Sequence, residues 1–291
     1  MTWKRVATAA VLIPIVVALV LFAPPSVVAI ALALVTLLAL FEFFALGDAI
    51  GHRAYRFWTG ACTLALIFVQ WIAAIAPFRE VSAGMIVQSS QIRIFGIEPT
   101  ITDILFLYLL GIAALSLWTR RPLVEALPAA GISSAGLLLV AFPLSFAIRL
   151  DGIPSLGPLL LLFSLVIIWV GDTAAYFVGR TIGSHLLAPD LSPKKTWEGT
   201  VASFVGSLAV AVLFSRWITL QLPLLLGMAA AGNIAGQIGD LFESAFKRSA
   251  GVKDSGSLLP GHGGILDRID ALVLAIPVVW YYWIWVCSPR A

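Results

Sequence analysis

The chain has 291 residues, of which 60% are hydrophobic and only 11% charged, and its mean hydropathy is +1.02. That composition excludes an ordinary soluble domain and places the chain among polytopic membrane proteins. The net charge of +3 comes without a long basic run, so the surplus calls for no nucleic acid and none is expected as a partner.

Nine apolar runs are each about long enough to span a bilayer as helix. In chain order they are Val6–Phe22, Val27–Leu46, Phe57–Pro77, Ile101–Trp118, Ala129–Arg149, Pro154–Val170, Val201–Leu220, Leu222–Phe246 and Ile269–Val286. The expected fold class is an all-α polytopic membrane protein with about nine transmembrane helices. The first run follows Lys4 and Arg5 and is long for the apolar core of a secretory signal, so it reads as a retained anchor. Ala129–Arg149 is interrupted by Pro143 and small residues, which predicts a kink. The seventh and eighth runs are joined by a very short turn. Cys62 and Cys287 lie far apart in apolar segments, without disulfide or zinc spacing.

If the N-terminus is cytoplasmic and the spans alternate, 13 of the 18 Lys and Arg fall inside. The outside receives Arg79, Arg93, Arg149, Arg216 and Arg290. This inside-positive bias predicts an N-in, C-out topology. Residues 1–150 then form a scaffold with little polar chemistry inside the spans, Glu42 being the main exception. Residues 151–291 carry two cytoplasmic motif loops, 171–200 and 247–268. Neither inverted repeats nor low-complexity segments are seen.

The chain's scarce charge gathers between Gly239 and Arg268. Ionisable groups beside hydrocarbon are costly to keep, so such a cluster is a functional hypothesis in itself. Asn233, Gln237, Asp240, Ser244 and Lys247 share one helical face, beside a small-residue seam of Gly232, Gly236 and Gly239. Asn233 and Gln237 suit a helix–helix hydrogen-bond interface or the site equally. Asp240 reads as a cation ligand. Asp267 and Asp270, three residues apart, join it as candidate magnesium ligands or act as first-turn acids of the last helix. Gly261, Gly263 and Gly264 let backbone N–H groups converge on an anion, with His262 between them as a donor. Lys247, Arg248, Lys253 and Arg268 neutralise a triphosphate or lipid phosphate, or serve as inside-positive anchors. Asp254 orders the loop or is solvated. In the earlier loop, Asp172 ends the sixth span, and Ser192, Lys194, Lys195 and Thr196 suit a polyphosphate. Trp197 suits base stacking or the headgroup interface. No Walker loop, Rossmann fingerprint or zinc spacing occurs.

The stretch from Ser244 to Asp270 resembles, across its 27 positions, the signature of phosphatidate cytidylyltransferases (CDP-diacylglycerol synthases). The Gly171–Gly199 block, with its Ser-Pro-Lys-Lys-Thr-Trp-Glu-Gly run, resembles the same family's second characteristic region. Length and span count fit its bacterial members. One departure lies at Ser184–Ala188, where many relatives carry basic residues. The resemblance implies transfer of CMP from CTP to phosphatidic acid at the cytoplasmic face of a bacterial inner membrane, giving CDP-diacylglycerol and pyrophosphate. It implies catalytic roles for Asp240, Lys247, Lys253, Asp267 and Asp270. Substrate contacts would come from Asp172, Ser192, Lys194, Lys195, Thr196, Ser244, Arg248, His262, Gly263, Gly264 and Arg268. Asp240, Asp267 and Asp270 would hold Mg2+, with a second cation, K+ being the candidate, beside it, and the protein would be a homodimer. The alternatives are a CTP-dependent lipid-alcohol kinase and a cation-coupled transporter. A CDP-alcohol phosphotransferase is disfavoured by the absence of its acidic motif.

Overall fold

The computed structural model describes residues 2–76, 78–81, 85–88, 99–118, 122–258 and 263–287. His262, Arg93, Arg120, Arg121 and Arg290 lie outside them. The elements in chain order are helices α1 (Thr2–Phe22), α2 (Pro25–Ala49) and α3 (Arg56–Ile75), strands β1 (Phe78–Val81) and β2 (Met85–Gln88), and helix α4 (Ile101–Trp118). Helices α5 (Ala126–Gly136), α6 (Phe142–Asp151) and α7 (Gly157–Thr181) follow, then strands β3 (Leu186–Ala188) and β4 (Ser192–Thr196). The chain closes with α8 (Trp197–Phe214), α9 (Leu222–Ser249) and α10 (Leu266–Tyr282). Among the described residues, eight helical segments are long and apolar enough to cross a membrane, and α1 adds a shorter apolar stretch, Ala10–Phe22. The chain is a multi-pass, all-α membrane protein decorated by two small antiparallel hairpins.

The expected interruption at Pro143 is real and has a local cause. α5 and α6 form one span, Leu123–Asp151, broken by a π-helical turn at Leu137–Ala141. Proline has no N–H and its ring crowds the carbonyl four residues back, so the ladder widens just before it. The boundary between the last long spans differs from expectation. α8 stops at Phe214, and residues 215–221 form the connection to α9. Ile218 and Leu220 in that connection are buried in the core, which is why the segment reads as continuous apolar helix.

In hydrocarbon the helices gain little from apolar burial, so close packing and polar contacts hold the bundle. The glycine seam of α9 shows this directly. A Cβ on Gly232 would lie 2.9 Å from both Ile167 and Val279, and one on Gly236 would lie 2.4 Å from Ile168. A Cβ on Gly239 would lie 2.7 Å from the Asp270 carbonyl. α9 is therefore pressed backbone-close between α7 and α10. The ends of α2, α7 and α9 and the starts of α8 and α10 meet at one end of the bundle, where the charged residues gather.

Candidate functional site

The β3–β4 hairpin crosses this end of the bundle, pairing Leu186 with Thr196 and Ala188 with Ser192. Thr196 closes the hairpin and caps α8, its Oγ1 accepting from Gly199 N at 3.2 Å. Arg248, at the end of α9, donates to Leu191 O and to Val252 O, each at 3.1 Å. Two of its guanidinium nitrogens hold backbone carbonyls, one of them in the hairpin turn, so Arg248 tethers the hairpin. Lys195 forms an ion pair with Asp240 at 2.6 Å. Together these elements enclose a cavity of about 240 Å³ lined by Asp172, Tyr176, Lys194, Lys195, Thr196 and Asp240, among others.

The polar stripe on α9 divides between two tasks. Asn233 donates to Ser203 Oγ at 3.0 Å, and Gln237 donates to Asn233 Oδ1 at 2.7 Å and to Thr200 O at 3.3 Å. That is the helix–helix interface, joining α9 to α8. Gln237 also lines the cavity. Nearly three turns further on, Lys247 Nζ lies 2.6 Å from both Glu243 and Asp267 in a nearly closed environment. Glu243 follows Asp240 by three residues and precedes Lys247 by four, so it belongs to the same face. The sequence reading passed over it although the spacing was there.

Asp267 organises the loop ahead of α10. Its Oδ1 accepts from Lys247, and its Oδ2 accepts from Ser255 N (2.9 Å), Ser255 Oγ (3.0 Å) and Gly264 N (2.8 Å). A carboxylate offers about four acceptor sites, so Asp267 retains little free capacity. The Gly264 N–H, expected to face an anion, is spent on Asp267. Gly263 has φ +79, and a Cβ there would lie 2.7 Å from Asp267 Oδ2, so this position needs glycine to bring the backbone onto the carboxylate. Ser244 is buried, whereas Lys253, Asp254 and Arg268 are exposed. Ser192 sits at the start of β4.

Asp172, Asp240 and Asp270 repel one another, as do Asp240, Glu243 and Asp270, while Lys195 and Arg268 offset the charge at Asp172. Both buried Glu243 oxygens lack a hydrogen-bond partner among the described residues, despite the ion pair to Lys247. An excess of hard oxygen donors of this kind fits a magnesium-like cation, which takes only a few protein carboxylates plus waters and substrate phosphates. No three His, Cys, Asp or Glu side chains among the described residues converge closely enough to hold one alone. Of the three expected acids, Asp267 is largely committed to the loop, Asp240 faces Lys195, and Asp270 accepts from Ala271 N.

The description "Cytidylyltransferase family" belongs to a family model that matches residues 3–286. A phosphatidate cytidylyltransferase of Staphylococcus haemolyticus is 43% identical over 142 residues, which is 48% of this chain and 53% of that protein. One of Haemophilus influenzae is 40% identical over 141 residues, covering 46% and 48% of the two chains. Another, of Staphylococcus saprophyticus, is 46% identical over 121 residues, covering 41% and 46%. The chain matches about half the length of these curated relatives. The family match, in contrast, runs from α1 through α10 and takes in the cavity, the hairpin and the loop before α10, so the chain belongs to the cytidylyltransferase family.

Proposed function

We propose that the protein transfers CMP from CTP to phosphatidic acid, giving CDP-diacylglycerol and pyrophosphate. The observation that carries this reading is the convergence of two motif segments, distant in sequence, on one end of the bundle, where the Lys195–Asp240 ion pair joins them across a cavity. A phosphate oxygen of the lipid attacks the α-phosphorus of CTP, and the bond to the β-phosphate oxygen breaks. The nucleophile is already anionic, so catalysis is positioning and charge neutralisation rather than proton removal. Lys194 and Lys195 line the cavity and take the triphosphate. Exposed Lys253 and Arg268 offset charge on the lipid phosphate, and Lys247 stabilises the acids beside the site. Magnesium held by Asp240 and Asp270 would neutralise the phosphates when bound. A second cation, K+ included, a homodimer, an N-in topology and a bacterial inner-membrane location are parts of the same proposal.

The test is the fate of CTP labelled at the α- and γ-phosphates, incubated with purified protein, magnesium and phosphatidic acid. Appearance of α-label in lipid and γ-label in pyrophosphate is expected. Transfer of γ-label to a lipid alcohol would replace this reading with the kinase. No movement of label with either lipid would reopen the transporter.

A further inference from the structure

We propose that Glu42, from the half of the chain without the signature, is a positioning residue that sets the loop before α10 and, through it, Asp267. The proposal rests on the cytidylyl-transfer reading above.

Glu42 is 4% exposed, and both of its oxygens are occupied. Oε1 accepts from Ile265 N at 3.0 Å, and Oε2 accepts from Leu266 N at 2.8 Å and from Ser255 Oγ at 3.1 Å. The first N–H groups of a helix have no intrahelical acceptor. Residue 265, which precedes α10, offers no side-chain cap. Glu42 supplies that cap from more than 200 residues away in sequence, and its negative charge suits the positive end of the helix dipole. Ser255 carries the link onward. Its single hydroxyl proton faces Glu42 Oε2 at 3.1 Å and Asp267 Oδ2 at 3.0 Å, so the two carboxylates share one donor.

Two glycines of the signature make room for this carboxylate. A Cβ on Gly256 would lie 2.5 Å from Glu42 Oε1, with Glu42 atoms its three nearest neighbours. A Cβ on Gly264 would lie 2.2 Å from Glu42 Oε2 and 2.4 Å from Ser255 Oγ. Their lack of side chains serves Glu42 rather than a bound phosphate. Adjacent Phe43 packs edge-on against Phe246 with centroids 5.5 Å apart, so α2 grips the end of α9 as well. The first turn of α10 carries Asp267, Arg268 and Asp270, and small displacements of such groups are felt strongly in turnover.

The converging N–H and O–H groups require acceptors on both arms, which Gln does not supply. In the full chain, Glu42→Gln is expected to lower kcat about tenfold to a hundredfold, with KM for CTP within about twofold, at a temperature well below the variant's own, somewhat lowered, melting point. Amide hydrogen exchange should quicken in residues 254–266. Gly256→Ala should also lower kcat, and the pair Glu42→Asp with Gly256→Ala should recover activity over Gly256→Ala alone, because the shorter acid withdraws by about one C–C bond, ~1.5 Å. The proposal is overturned if Glu42→Gln keeps half or more of the wild-type kcat, or if kcat merely follows melting temperature across the series. Should Glu42→Gln fail to fold, Ser255→Ala, which cuts only the bridge to Asp267, is judged by the same criteria. If the wild-type chain transfers no CMP, the functional reading fails by itself. Exchange in 254–266 then decides the role of Glu42: faster in Glu42→Gln supports it, unchanged overturns it.

Discussion

The two halves of this bundle bury polar groups in opposite ways. In the first, the buried groups are mostly neutral and those that find partners find them nearby: Thr59 donates to Tyr55 O at 2.9 Å, Ser133 donates to Ala129 O at 2.7 Å, and Gln70 donates to Ser145 Oγ at 3.1 Å. In the second, the ionisable side chains of Glu243, Lys247 and Asp267 cluster, Lys247 pairing with Glu243 along α9 and with Asp267 across to α10. Neutral hydroxyls and amides hold helices together at modest cost, whereas buried charges are stable only as a closed set. Glu42 is the exception that crosses the divide, a charged group of the first half with its partners in the second.

Breaking the closed set should produce the largest effect. Lys247→Met leaves two buried carboxylates facing each other and is expected to destabilise the protein by about 3–5 kcal/mol, read as a fall in melting temperature in detergent. Adding Glu243→Gln should restore part of that loss; an unchanged melting temperature in the single variant would mean that the triad is not a unit. Asp240→Asn keeps shape while removing the charge opposite Lys195, and turnover should fall by about a hundredfold or more with elution on gel filtration unaltered. A nearly active Asp240→Asn protein would remove Asp240 from the site. Thr196→Ala deletes the α8 cap, costing about 1 kcal/mol, with a modest rise in KM for CTP as the hairpin loosens. Gln70→Leu, at the far side of the comparison, should cost about 0.6 kcal/mol and leave kcat unchanged. A loss of turnover there would show that the first half takes part in chemistry beyond Glu42.

Much of this was legible in the sequence because membrane helices announce themselves by length and hydropathy, and the Pro143 interruption by the chemistry of proline. The α9 stripe was readable for the same reason, since spacing of three and four residues fixes a helical face. What could not be read was how each polar group divides its bonds. Asp267 and Asp240 look equivalent in the sequence, yet Asp267 is nearly saturated by Lys247, Ser255 and Gly264, while Asp240 has its ion pair with Lys195. Arg248 reads as a phosphate ligand, and nothing in its spacing announces the Leu191 carbonyl against it. Glu42 stood out as a charge in an apolar span, but nothing in local spacing points to partners on α10. The β3–β4 hairpin was missed because its pairing runs over only a few residues.

The glycine seam of α9 also sets how near the acids of the site can come. With Ile168, Val279 and the Asp270 backbone all within contact of where side chains would begin, any larger residue in the seam would push α9 off its neighbours. The approach of Asp240 to Asp270 is therefore written in residues that carry no chemistry of their own. The hairpin is fastened differently, by the Lys195–Asp240 pair, by one hydrogen bond from Arg248 to Leu191 O, and by Ser184 Oγ and His185 N donating to Glu198 at the start of α8. One wall of the cavity is thus stitched by polar bonds, while the helix beneath it is set by the shape of its apolar neighbours.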